Sequence, residues 1–169
     1  MLIIFSGLPG TGKTTIARGL AARMEAAFLR IDTLEQALVN TGLLKTGEDM
    51  GPAGYMITQA IAADNLRLGL TVITDPVNPF AMTRDAWRET ALNCGVKYLE
   101  IEVVCSNQTE HQRRVESRHA DIPGLKLPTW AEVINREYHP WNRGHLVIDS
   151  AKLSVDQAIE VIIDTVYRL

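Results

Sequence analysis

Nine residues near the start, Gly7-Leu8-Pro9-Gly10-Thr11-Gly12-Lys13-Thr14-Thr15, restrict what this chain can become more than any other stretch. They fit G-x-x-x-x-G-K-[ST], a loop whose backbone N–H groups converge on phosphate oxygens. Glycines at 7, 10 and 12 permit backbone conformations that a Cβ would forbid. Lys13 brings a point charge to the β- and γ-phosphates, and the Thr14 hydroxyl can complete the coordination of Mg²⁺. A helix starting here would add the positive end of its dipole to the same anion site.

The flanks are those the motif requires. Leu2-Ile3-Ile4-Phe5 is a short apolar run, as expected of a buried parallel strand. After the loop, Ile16, Ala17, Leu20, Ala21 and Met24 recur at helical spacing. Strand, glycine loop and helix follow in order, so the chain is expected to bind a nucleoside triphosphate through Gly10, Thr11, Gly12, Lys13, Thr14 and Thr15.

Further strands are expected at Ala27–Ile31, Thr71–Thr74, Tyr98–Val104 and Leu146–Ile148, separated by helical patterns. That alternation predicts an α/β fold, a parallel sheet with helices on both faces. Thr83 is expected to cap a helix that stops at Gly95, and Ser154 with Gln157 reads as a capping box. In the helix that follows, Val155, Ala158, Ile159, Ile162, Ile163 and Val166 make one apolar face. Three glycine- and proline-bearing segments, Thr41–Pro52, Asp75–Thr83 and His119–Thr129, read as loops around a cleft at the carboxyl ends of the strands.

At 169 residues the chain is expected to form one domain, residues 1–169. A net charge of −3 and a pI near 5.8 give no electrostatic pull toward nucleic acid or an anionic membrane. Neither a basic leader nor an apolar run of membrane-spanning length is present, so a cytoplasmic protein is expected. Cys94 and Cys105 do not suggest a disulfide framework, and the four histidines lack metal-site spacing.

Two carboxylates stand where a phosphoryl-transfer site needs them. Asp32 directly follows the second expected strand, placed to accept a proton from an attacking hydroxyl or to orient it; the alternative is capping of a helix starting at Thr33. Asp75 closes the third, where it would hold Mg²⁺ directly or through water; the alternative is a turn before Pro76. Arg113, Arg114 and Arg118 lie on one expected helix, with Arg114 and Arg118 sharing a face, beside a segment about 119–129 that would close as a lid. Their alternative is a solvated face with Glu110 paired to Arg114. Arg84 and Arg88 share another helix face on the expected acceptor side, with surface pairing to Asp85 or Glu89 as the alternative. Tyr138-His139-Pro140-Trp141 reads as a packed connector, with lining of the acceptor pocket as the alternative.

With these residues placed, the chain resembles small P-loop kinases, the group containing nucleoside monophosphate kinases, adenylylsulfate kinase, gluconate kinase, chloramphenicol phosphotransferase and zeta-toxin-like kinases. The resemblance implies a three-layer fold with sheet order 2-3-1-4-5 and use of Mg·ATP. Arg114-Val115-Glu116-Ser117-Arg118 is similar to the paired lid arginines, which implies Arg114 on the adenine and Arg118 on the phosphates. Asp149-Ser150-Ala151 resembles the adenine-contacting loop, and Phe28 to Leu38 the segment carrying the catalytic Asp. Asp75 is not followed by the Gly-Phe-Pro-Arg of nucleoside monophosphate kinases, and the double Asp of adenylylsulfate kinase is reduced here to Asp32.

The expected reaction is transfer of the γ-phosphoryl group of Mg·ATP to a hydroxyl of a small molecule. Lys13, Asp32 and Arg118 are the expected catalytic residues, Arg114 and the phosphate loop bind nucleotide, and Thr14 and Asp75 serve the metal. Two other classes share the motif: a nucleotide-dependent switch that uses water as acceptor, and an end-kinase for RNA or DNA, which would need a basic channel.

Overall fold

The computed structural model describes residues 1–42 and 50–169. Five strands, β1 (Leu2–Ser6), β2 (Ala27–Arg30), β3 (Val72–Asp75), β4 (Tyr98–Val104) and β5 (Leu146–Asp149), form one sheet in the order β2-β3-β1-β4-β5. Every pairing is parallel. Helices α1 (Lys13–Met24), α2 (Ile31–Asn40), α3 (Ala53–Arg67), α4 (Ala81–Asn93), α5 (Gln108–Ser117), α6 (Trp130–Ile134) and α7 (Val155–Tyr167) connect and cover it.

The central strand explains both layers. Successive side chains of a strand point to opposite faces. Ile3 and Phe5 therefore meet Ile16, Ala17, Leu20, Ala158, Ile159 and Ile162 from α1 and α7. Leu2 and Ile4 turn the other way, toward Ala62, Leu66, Trp87 and Ala91 from α3 and α4. All five residues of β1 are buried, which is why its sequence is a continuous apolar run rather than an alternation. Full burial of each Leu, Ile or Phe stabilises by roughly 1.5–3 kcal/mol, so the two layers together dominate the fold's stability.

The sheet order creates the crevice. From β1 the chain runs out to β2, returns through β3 beside β1, and then crosses to β4 on the other side. The loops after β1 and β3 thus leave the sheet side by side, where ligands bind in open parallel sheets. Gly7 N–H donates to the Val77 carbonyl at 3.0 Å, tying the two loops together. Arg30 stands opposite Asp75 in the β2–β3 register, so residues just past β2 face the same crevice.

Several boundaries differ from the sequence reading. The α4 helix begins at Ala81 with Phe80 as its cap; the Thr83 hydroxyl donates back to the Phe80 carbonyl instead of capping. The five-residue α6 was not expected, although Thr129 and Glu132 form a full capping box. The expected Ser154–Gln157 box is present, but Val155 is 40% exposed and lies off the buried face of α7. Of the expected loop Thr41–Pro52, residues 43–49 lie outside the described residues. No helix among the described residues is long and apolar enough to cross a membrane.

Candidate functional site

The phosphate loop joins β1 to α1 and adopts the backbone its glycines allow. Gly12 caps α1 with φ +90°, and the space beside its Cα is open toward Ser150 and Arg114, the nearest atoms lying 3.7 and 3.8 Å from where a Cβ would sit. At Gly10 (φ +86°) a Cβ would lie only 2.4 Å from the Val115 side chain, so α5 packs on the loop where only glycine fits. The His111 ring reinforces that contact: its Nε2 lies 2.9 Å from the Pro9 carbonyl, while the ring sits edge-on to Trp130.

Lys13, the first residue of α1, is buried and points into the crevice. Its Nζ donates to Asp75 Oδ1 at 2.5 Å, joining the phosphate loop to the end of β3. The second Asp75 oxygen, Oδ2, is buried and has no hydrogen-bond partner, and the buried Thr74 hydroxyl is likewise unpartnered. An orphaned carboxylate oxygen is costly unless something else meets it. A hard cation or its bound water suits that atom, with the Thr14 hydroxyl as a second oxygen donor in the same crevice.

The loop, Lys13 and Asp75 form part of one cavity of about 610 Å³. Gly10, Gly12, Thr14, Thr15, Asp32, Arg114 and Arg118 also line it, so these expected site residues converge. Thr11 does not. It is buried, and its hydroxyl donates to the Leu8 carbonyl at 2.9 Å, so its side chain braces the loop instead of facing a ligand.

On the expected nucleotide side, Arg114 is held in place from two directions. Its Nε donates to Glu110 at 2.8 Å, and its Nη atoms donate to the Ser150 hydroxyl and carbonyl at 2.9 and 3.1 Å. The expected adenine loop and the expected adenine arginine are therefore neighbours. Glu110 also binds Arg113, and hydrogen bonds from the two arginines hold its carboxyl down at about 2. Arg113 is largely exposed, so the solvated-face alternative describes Arg113 and part of Arg114.

Arg118 is not on the helix with them. The α5 helix ends at Ser117, and Arg118 takes extended geometry, φ −73° and ψ 150°. That turn carries its guanidinium inward, where its Nε is buried without a partner. Burial pushes Arg118 below its ordinary pKa, against the opposing charge of Asp32. A partly desolvated guanidinium with an unpartnered N–H is ready to donate to an anion.

Asp32 lies in the first turn of α2, which starts at Ile31 rather than Thr33, with Arg30 as its cap. The carboxylate makes no cap hydrogen bond; it accepts from Arg30 Nη2 at 3.2 Å and Nε at 3.3 Å. Its side chain is 46% exposed toward the cavity. Residues 119–129 cross the mouth without regular structure, and His119, Asp121, Leu125, Lys126, Leu127 and Pro128 line the same space.

Two expectations on the acceptor side are corrected. Arg84 is 1% exposed and does not reach the cavity. It donates to the carbonyls of Asn78, Pro79, His139 and Pro140 and lies over the rings of Tyr138 and Trp141. Arg84 is therefore an internal clamp between the loop after β3 and the 138–141 connector. It has no ion pair with Asp85, which binds Arg143 instead. The contacts of Arg30, His111 and Asp121 were absent from the sequence reading.

Parallel order, glycine loop and the lysine–aspartate pair define a P-loop nucleotide-binding protein of the small-kinase fold. More particularly, the chain matches the profile of an AAA-domain family over residues 2–132 and belongs to that family. It is 25% identical over 175 residues to an adenylyl-sulfate kinase from Synechococcus sp. (strain JA-3-3Ab), covering 95% of this chain and 90% of that one. A Chloroflexus aurantiacus J-10-fl structure superposes with a TM-score of 0.75 at 22% identity, covering 99% of this chain and 96% of that one. The Mycobacterium tuberculosis APS kinase in complex with AMPPNP and APS superposes at 0.68 with 18% identity, covering 98% and 96%. The resemblance to small P-loop kinases read from the sequence is the one these comparisons return.

Proposed function

We propose that this chain is an ATP-dependent kinase that moves the γ-phosphoryl group of ATP onto a hydroxyl of a small molecule. The observation that carries the reading is one cavity lined at once by the phosphate loop, Lys13, Asp32, Asp75 and Arg118. The likeness to adenylyl-sulfate kinase relatives and to a nucleotide-bound APS kinase structure supports the reaction class. The adenylyl-sulfate acceptor named for those relatives is not carried over, because the double Asp that the family resemblance associates with adenylylsulfate kinase is a single Asp32 here.

In this reading the loop amides and Lys13 hold the phosphates, and Arg114 with the Ser150 loop holds the base. Thr14 and Asp75 would hold Mg²⁺, which would neutralise phosphate charge. The acceptor oxygen bonds to the γ-phosphorus as the bond to the β–γ bridging oxygen breaks, and ADP leaves. Asp32 takes or orients the hydroxyl proton, and Arg118 offsets charge on the transferring group. Because phosphoryl transfer depends mainly on positioning and charge, these few side chains suffice. Residues 119–129 act as the lid that excludes water.

The test is a mass-spectrometric screen. The protein, Mg²⁺ and ATP are incubated with pooled metabolites, nucleosides and aminoglycoside or phenicol antibiotics, with ADP followed in parallel. The expected result is an acceptor heavier by one phosphoryl group. Brisk ADP release with no mass-shifted product would replace this reading with a nucleotide-dependent switch.

A further inference from the structure

Arg30 touches both Asp32 and the segment across the cavity mouth. Its side chain is 9% exposed, and its guanidinium is divided between two carboxylates. Nε and Nη2 face Asp32 at 3.3 and 3.2 Å, while Nη1 donates to both oxygens of Asp121 at 2.8 and 2.9 Å. Arg18, from α1, donates to Asp121 Oδ2 at 2.6 Å. An unbroken chain, Arg18–Asp121–Arg30–Asp32, thus runs from the helix behind the phosphate loop, through the 119–129 segment, to the first turn of α2. The segment also rests on α2 at Gly124, where a Cβ would stand 3.1 Å from Gln36 Nε2.

We propose that Arg30 is a positioning residue that couples lid closure to the placement of Asp32, through its simultaneous bonds to Asp121 and Asp32. The functional half of this proposal rests on the kinase reading above. A planar guanidinium has separate N–H edges and can hold two carboxylates in fixed relative orientation, which an ammonium cannot. When Asp121 is seated, one edge of Arg30 is fixed and the other presents a set geometry to Asp32. When the lid lifts, Arg30 loses that anchor and Asp32 loses its orientation. The carboxylate would then be in place only when the lid excludes water, which discourages transfer to water from an open site.

Hydrogen exchange of the full chain, with and without Mg·AMPPNP, tests the coupling. The amides of Glu35 to Leu38 bond the carbonyls of the first α2 turn and report its opening. Asp121→Asn is a lid substitution at an exposed position, so the chain is expected to fold. It should nonetheless raise exchange at Glu35 to Leu38 by at least about threefold, together with exchange in 119–129. Asp121→Glu should restore protection in both. Arg30→Lys keeps the charge but should reproduce the Asp121→Asn pattern in α2.

Faster exchange confined to 119–129 in Asp121→Asn, or no change in either segment, would overturn the proposal. So would wild-type protection in Arg30→Lys, which would assign the coupling to the Gly124–Gln36 contact. Failure of Asp121→Glu to restore protection would also overturn it. A failure of the kinase reading would appear separately, as ADP release by the wild type without any phosphorylated acceptor, with the exchange coupling intact.

Discussion

The Lys13 ammonium lies 2.5 Å from Asp75 Oδ1 with both side chains buried, so the phosphate loop and the end of β3 are one electrostatic unit. A buried pair contributes little net stability beyond an apolar equivalent, but removing one partner leaves an uncompensated charge. Asp75→Ala should therefore destabilise the ligand-free protein by about 3 kcal/mol. Urea unfolding measures this; an unchanged midpoint would mean that Lys13 finds another partner or swings out to water.

Lys13→Ala should weaken binding of Mg·AMPPNP by about a hundredfold, since a charge-assisted contact to phosphate in a partly desolvated site is lost. Isothermal titration checks it, and wild-type affinity in the variant would remove Lys13 from the phosphate site.

Arg84→Leu should destabilise the fold by about 3 kcal/mol or more, because the carbonyls of Asn78, His139 and Pro140 lose their donor together, while Pro79 keeps the His139 N–H. Affinity for Mg·AMPPNP should change by less than about threefold under conditions where the variant remains folded, since Arg84 does not line the cavity. A large affinity loss in the folded variant would return Arg84 to the site.

Asp121 supplies a pH dependence of known sign. Hydrogen bonds from Arg18 and Arg30 lower its pKa from 3.8 to about 2. A carboxyl depressed on folding stabilises above its unfolded pKa and loses that contribution as pH falls through the folded value. At 45% side-chain exposure the pairing is screened, so Asp121→Asn should cost no more than about 1 kcal/mol at pH 7. The difference between variant and wild type should shrink between pH 4 and pH 2, as followed by urea unfolding at each pH. A constant difference across that range would show that the effect of the substitution is not electrostatic.

The layers of this fold were legible because their signals are local. Leu2–Phe5 is apolar throughout because both faces of β1 are covered, and the Ser154–Gln157 box lies within four residues. The convergence of Lys13, Asp32 and Asp75 on one cavity was legible because residue type and strand position together narrow where such side chains meet. What escaped depends on the folded chain bringing distant residues together. Lys13 and Asp75 are 62 positions apart, and Arg30 and Asp121 are 91 apart, so no spacing rule pairs them. Arg84 reads as a surface helix residue because its period says nothing of the 138–141 connector that folds over it. The α6 helix was an avoidable miss, since Thr129 and Glu132 carry the capping signature in plain sequence.

If Asp32 serves transfer to an acceptor and not nucleotide binding, Asp32→Asn separates the two. The most direct measurement compares wild type with Asp32→Asn in two assays: titration with Mg·AMPPNP, and formation of phosphorylated product from Mg·ATP and the acceptor pool. Affinity should stay within about threefold of wild type, and the product rate should fall by roughly two to four orders of magnitude. Equal loss of binding and product, or an unchanged product rate, would contradict it.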